Sequence, residues 1–125
     1  MSDKIEWIEK PNIVGITFTE QISINSLNHT MVDFLKIAQK GEVYIMLDFS
    51  QIRVPAGLLS MPSLLQLINH ANTRWMGVVK RESSSSVLTK MLARDKVKMF
   101  RSSDDALGFL RGMVRIDAHD KQVNV

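Results

Sequence analysis

Residues 44–68, YIMLDFSQIRVPAGLLSMPSLLQLI, decide how this chain is read. From Val43 to Phe49 the side chains are apolar with one exception, Asp48, and they follow neither a helical nor an alternating period. Such a run is too short for a core helix and suits a strand covered on both faces. Asp48, Phe49 and Ser50 lead into a loop carrying Pro55, Ala56 and Gly57. The leucine-rich segment 58–71 follows and reads as a helix. Pro62 suits its first turn and would kink an interior position. A doubly covered strand with a helix on its exit places the chain among α/β proteins.

Working outward, "KIEWIEK" alternates Ile5 and Trp7 with charged neighbours, and "IVGITFT" alternates Val14, Ile16 and Phe18. Pro11-Asn12 lies between them as a turn, so an N-terminal β-hairpin is expected. Burial is the first reading for Trp7 and for Trp75. Leu27, Met31, Phe34, Leu35 and Ala38 then form a helical stripe. Ser23 or Ser26 can cap its start, and Gly41 can end it in a left-handed conformation. Beyond the decisive stretch, 74–80 and 96–100 read as strands, and "SSSSVLTKMLARD" as a serine-capped helix. Ser102 and Asp105 have capping-box spacing before a closing helix that places Leu107, Leu110 and Met113 on its core side. The order is ββαβαβαβα: a mixed sheet of four or five strands flanked by helices, mostly parallel, with an antiparallel edge strand. Residues 1–115 read as one domain and 116–125 as a disordered tail.

The chain has 125 residues, 45% of them hydrophobic, which fits one ordinary core. It has no cysteine, which excludes disulfides and thiolate metal sites and points to a reducing, cytoplasmic setting. No signal-peptide run is visible, and no apolar stretch approaches the roughly 20 residues that span a bilayer. Charge is uneven. Residues 1–62 carry five Lys/Arg and seven Asp/Glu; residues 63–125 carry eleven and six. Eight of those basic residues lie between Arg74 and Arg101. A solvated basic face is the favoured reading of that segment. Without an aromatic-plus-basic strand surface, nucleic acid is a disfavoured partner.

Catalytic signatures are missing. His29, His70 and His119 have no partner at metal-ligand spacing, and there is no nucleophile elbow and no glycine-rich phosphate loop. The sequence therefore offers no catalytic residue, no metal ligand and no cofactor site. Asp48 ends a central strand and is the one acid to consider; a loop-capping role is the favoured reading. Lys80, Arg81, Ser83, Ser84 and Ser85 follow a strand and open a helix, where free amides and basic side chains could hold an anion. Redundant serine capping explains them more simply. The eight methionines read as adaptable core filler.

Three segments carry a resemblance: "YIMLDFSQI", "VPAGLL" and "FRSSDDALGFL". With the order of elements, they resemble the STAS family, the sulfate-transporter C-terminal domains and bacterial anti-sigma factor antagonists, over roughly residues 5–112. The resemblance implies a regulatory interaction module rather than an enzyme. In antagonists a Ser or Thr just before the loop glycine is phosphorylated; here Pro55 and Ala56 precede Gly57, so the phosphorylation switch does not carry over. Neither Ser50 nor Ser60 matches the motif position. The family's partner-facing edge corresponds to Asp48, Ser50, Pro55, Ala56, Gly57, Leu58 and Leu59. If the run Leu58, Leu59, Met61 is partly exposed, it would seat a protein partner or a second copy in a homodimer. The alternatives are a lipid or other small apolar or anionic ligand, as in lipid-binding domains of related fold, and an unrecognised enzyme.

Overall fold

The computed structural model describes residues 3–55, 57–80 and 96–123; at Leu59, Gln122 and Val123 it describes the backbone alone. Five strands form one sheet: β1 (Glu6–Glu9), β2 (Ile13–Thr17), β3 (Val43–Asp48), β4 (Thr73–Val79) and β5 (Val97–Phe100). Among the described residues three helices flank it: α1 (Ile24–Lys40), α2 (Pro62–Asn69) and α3 (Ser103–Val123). A 3-10 turn, Leu58–Ser60, precedes α2. The strands lie in chain order, β1-β2-β3-β4-β5. β1 is antiparallel to β2, and β2 to β5 run parallel. The mixed α/β sheet expected from the alternating periods is therefore present. The predicted helix after β4 lies outside the described residues.

β3 is the middle strand, and all six of its residues are buried. Its side chains divide the interior in two. Ile45 and Leu47 point with Val14, Ile16, Met76 and Val78 toward α1 and α2. Tyr44 and Met46 point with Ile13 and Val79 toward Ala106 and Leu110 of α3. Crossovers of constant hand put α1 and α2 on the same face, and α3 packs on the other.

Local signals explain the ends of these elements. Ser23 is the N-cap of α1, its hydroxyl accepting from the Ser26 amide at 3.2 Å. Pro62 opens α2 at its first turn, where its missing N–H costs nothing. Ser102 caps α3 by accepting from the Asp105 amide at 3.1 Å.

Three expectations need correction. Gly41 ends α1 with extended backbone (φ 166°, ψ 174°), not in the left-handed region, because the chain turns directly into β3. Trp7 is 40% exposed: it sits on edge strand β1. Residues 116–123 are not a frayed tail but the last turns of α3, and His119 lies on that helix. What holds those turns is polar. The Tyr44 hydroxyl donates to Asp117 Oδ2 at 2.5 Å, and Lys121 Nζ donates to Glu42 Oε1 at 2.8 Å.

Candidate functional site

Parallel register brings the carboxyl ends of four strands to one edge, with Thr17 opposite Asp48, Asp48 opposite Val79 and Val79 opposite Phe100. Ligands of open α/β sheets gather at this edge, because the connecting loops diverge there. The ladder runs one residue further: the Phe18 amide donates to Asp48 O at 3.0 Å, Phe49 to Val79 O at 2.9 Å, and Lys80 to Phe100 O at 2.9 Å. Phe18 and Phe49 stack with centroids 4.9 Å apart and anchor the start of the loop.

The loop after β3 is pinned twice. Asp48 Oδ1 accepts from the Ser50 amide at 2.9 Å, the loop-capping role expected of a strand-end aspartate. Further along, Gln21 clamps Arg53: its Nε2 donates to Arg53 O at 2.8 Å, and its Oε1 accepts from the Arg53 amide at 3.1 Å. Between these pins lies an open groove of about 570 Å3, lined by Phe49, Ser50, Gln51, Ile52, Arg53 and Val54 of the loop, with Gln21 and Lys80. That volume falls in the range of roughly 300–1,000 Å3 usual for small-ligand sites. Among the described residues neither Arg53 nor Lys80 forms an ion pair. Among the described residues no carboxylate lines the groove.

The structure sorts the residues singled out in the sequence. Ser50 and Lys80 line the groove. Asp48 is only 5% exposed and committed to Ser50, so it supports the loop from beneath. Gly57 adopts φ 90°, the left-handed conformation that favours glycine, and with Pro55 leads into the 3-10 turn outside the groove. Leu58 and Met61, at 3% and 5% exposure, belong to the core with Leu64, so the apolar run is not an exposed patch at those positions. Packing under α1 and α2 claims them. Ala56, Arg81, Ser83, Ser84 and Ser85 lie outside the described residues, as does the Leu59 side chain. Of the basic segment 74–101, the described Arg74 and Lys96 do not join Lys80 at the groove. Arg74 sits by Glu42 and Asp117, and Lys96 Nζ donates to His70 O at 2.9 Å, both away from the groove.

The residues missed in the sequence are Gln21, Gln51 and Arg53. Arg53 carries a faint signal: it is the only Lys or Arg between Lys40 and Arg74, and it follows the central strand. Gln21 has none, since its clamp spans 32 positions of sequence.

A second cavity, about 410 Å3, opens beside the start of α3. Ile8, Met46 and Leu107 line it together with Asp3, Glu6 and Asp104. Gly15 is part of that lining because a side chain there would meet Ile8 Cδ1 at 2.8 Å and the Met46 carbonyl at 2.9 Å. Asp3 is held by Thr19, whose hydroxyl and amide donate to its two oxygens at 2.6 and 2.8 Å; the hydroxyl bond chiefly lowers the Asp3 pKa.

Among the described residues no group of three or more His, Cys, Asp or Glu side chains could hold a metal ion, and no helix is long and apolar enough to cross a membrane. No family model matches the chain, and no curated protein matches its sequence.

Proposed function

We propose that this chain is a non-catalytic interaction module of STAS-like type that docks a protein partner on the carboxyl edge of its sheet. One observation carries the reading: the groove between the β3 loop and Lys80 has walls fixed by hydrogen bonds, yet its two cations have no ion partner among the described residues. A rigid concave surface with unpaired charge is suited to recognition. Its described lining offers no nucleophile–base pair, and the nearby acid, Asp48, is buried and occupied. The STAS-like part of the reading rests on the order of elements and on the three segments around β3, the following loop and α3. With Pro55 before the loop glycine and the Ser60 hydroxyl donating to Gly57 O at 3.1 Å, this module works without a phosphorylated loop residue. The absence of cysteine fits work in the reducing cytoplasm.

Site-specific photocrosslinking tests the docking edge. A photoreactive amino acid replaces Gln51 and, as a control, Lys36 on the exposed side of α1. The reading predicts a discrete product from position 51 alone, identified by mass spectrometry. The purified partner should then bind the chain and lose that binding with Arg53→Glu. Equal products from both positions, or binding insensitive to Arg53→Glu, would overturn it. A product containing only this chain identifies the partner as a second copy.

A further inference from the structure

Resting on the docking role proposed for this groove, we infer that the partner meets it through an acidic peptide segment, its carboxylates against Arg53 and Lys80. Charge complementarity carries the assignment. The groove brings together one cation from the β3 loop and one from the end of β4, with no acid among the described residues of its lining. Asp48 is sealed below, its Oδ1 turned to the Ser50 amide.

Geometry favours a peptide over a compact oxyanion. The groove is an open trough rather than an enclosed pocket, so it accommodates a chain that enters and leaves. Its lining alternates in character: the half-buried Ile52 and Val54 stand either side of Arg53 along the loop. A segment with an apolar side chain between carboxylates matches that pattern. Gln21 matters because it holds the Arg53 backbone from both sides, so the cation sits on a fixed main chain. A preorganised site gives up less freedom when it binds. Bonds between guanidinium or ammonium groups and carboxylates supply more energy than neutral ones, and salt weakens them where they face solvent.

The probe is a fluorescein-labelled peptide of three Glu-Leu-Glu repeats, with the Gln-Leu-Gln peptide as its neutral counterpart, read by fluorescence anisotropy on the full chain. The acidic peptide is expected to bind wild type about tenfold or more tightly than the neutral one. Arg53→Gln/Lys80→Gln should remove that preference. Lys36→Gln/Lys40→Gln, which changes net charge equally at the far end of α1, should retain it. Circular dichroism confirms that each variant is folded. Three outcomes overturn the inference: equal binding of the two peptides, an equal loss in the α1 variant, or saturable displacement by millimolar phosphate at constant ionic strength. The last would assign the cations to a small oxyanion. Failure here with a partner still crosslinked from position 51 leaves the docking role standing. Success here without a crosslinked partner removes that role and keeps the chemistry.

Discussion

At the amino edge of the sheet, Glu42 just before β3, Arg74 of β4, and Asp117 and Lys121 of α3 are turned on one another. At the carboxyl edge, Arg53 and Lys80 line a groove and have no ion partner among the described residues. The amino-edge cluster is closed: Tyr44 donates to Asp117, Arg74 Nε lies 3.5 Å from Asp117 and 3.4 Å from Glu42, and Lys121 reaches Glu42. Burial disfavours the charged Arg74 guanidinium, but Asp117 and Glu42 more than offset this and raise its pKa. Nearby, the Arg111 guanidinium pairs with Glu9 and fastens α3 to β1. None of these groups is left over for a ligand. The two edges share one sheet and one set of strands, so the difference lies in the partners that the sequence supplies. Paired charges hold α3 to the sheet; unpaired charges leave chemistry to offer.

If the amino edge is structural, breaking it should cost stability, and stripping the carboxyl edge should not. Asp117→Ala removes the acceptor of the Tyr44 hydroxyl and an ion partner of Arg74 and is expected to lower the unfolding free energy by about 1–3 kcal/mol in urea titrations. Arg53→Ala and Lys80→Ala are expected to stay within about 0.5 kcal/mol of wild type. A reversal of that order would break the comparison.

Two buried polar atoms of the amino edge make no hydrogen bond among the described residues: Arg74 Nε, which has only the ion-pair contacts above, and the Thr73 hydroxyl oxygen. Thr73 is fully buried. Thr73→Val keeps the shape and removes the unsatisfied group, so it is expected to stabilise the protein by about 1 kcal/mol. A loss of stability by the same titration would show that the hydroxyl has a partner.

Tyr44 gives the subtlest readout. Burial first, and then its hydrogen bond to Asp117, push its pKa far above the usual tyrosine value. A proton held more tightly in the folded state contributes stability that is complete below about pH 10, the unfolded value, and is lost as pH rises above it. Tyr44 is the only tyrosine, so tyrosinate absorbance reports on it directly. Its onset is expected well above pH 10 in the folded protein and near 10 in urea. Tyr44→Phe should remove the corresponding alkaline loss of stability. Titration near 10 in both states would separate Tyr44 from Asp117.

The same contrast explains what the sequence made legible. β3 was readable because continuous apolar residues admit few alternatives, and α1 because its stripe, serine cap and closing glycine agree. The second half of α3 was not. Beyond Val114 the apolar period stops, and what holds the helix is Asp117 to Tyr44 and Lys121 to Glu42, pairs 73 and 79 positions apart. No local period carries such information. For the site, Lys80 and Ser50 stood out as a strand end and its loop, whereas Arg53 takes its place only through the clamp from Gln21. Leu58 and Met61 misled because a leucine-rich run reads alike whether it faces a partner or the core.

The central claim is that recognition belongs to the carboxyl edge and architecture to the amino edge. Amide chemical-shift mapping by NMR tests it most directly, on 15N-labelled chain titrated with the Glu-Leu-Glu peptide. The account predicts saturable shifts at Gln21, Ser50, Gln51, Ile52, Arg53 and Lys80, and none at Glu42, Tyr44, Arg74 or Asp117. Shifts centred on the second group, or spread evenly over exposed lysines and arginines, would contradict it.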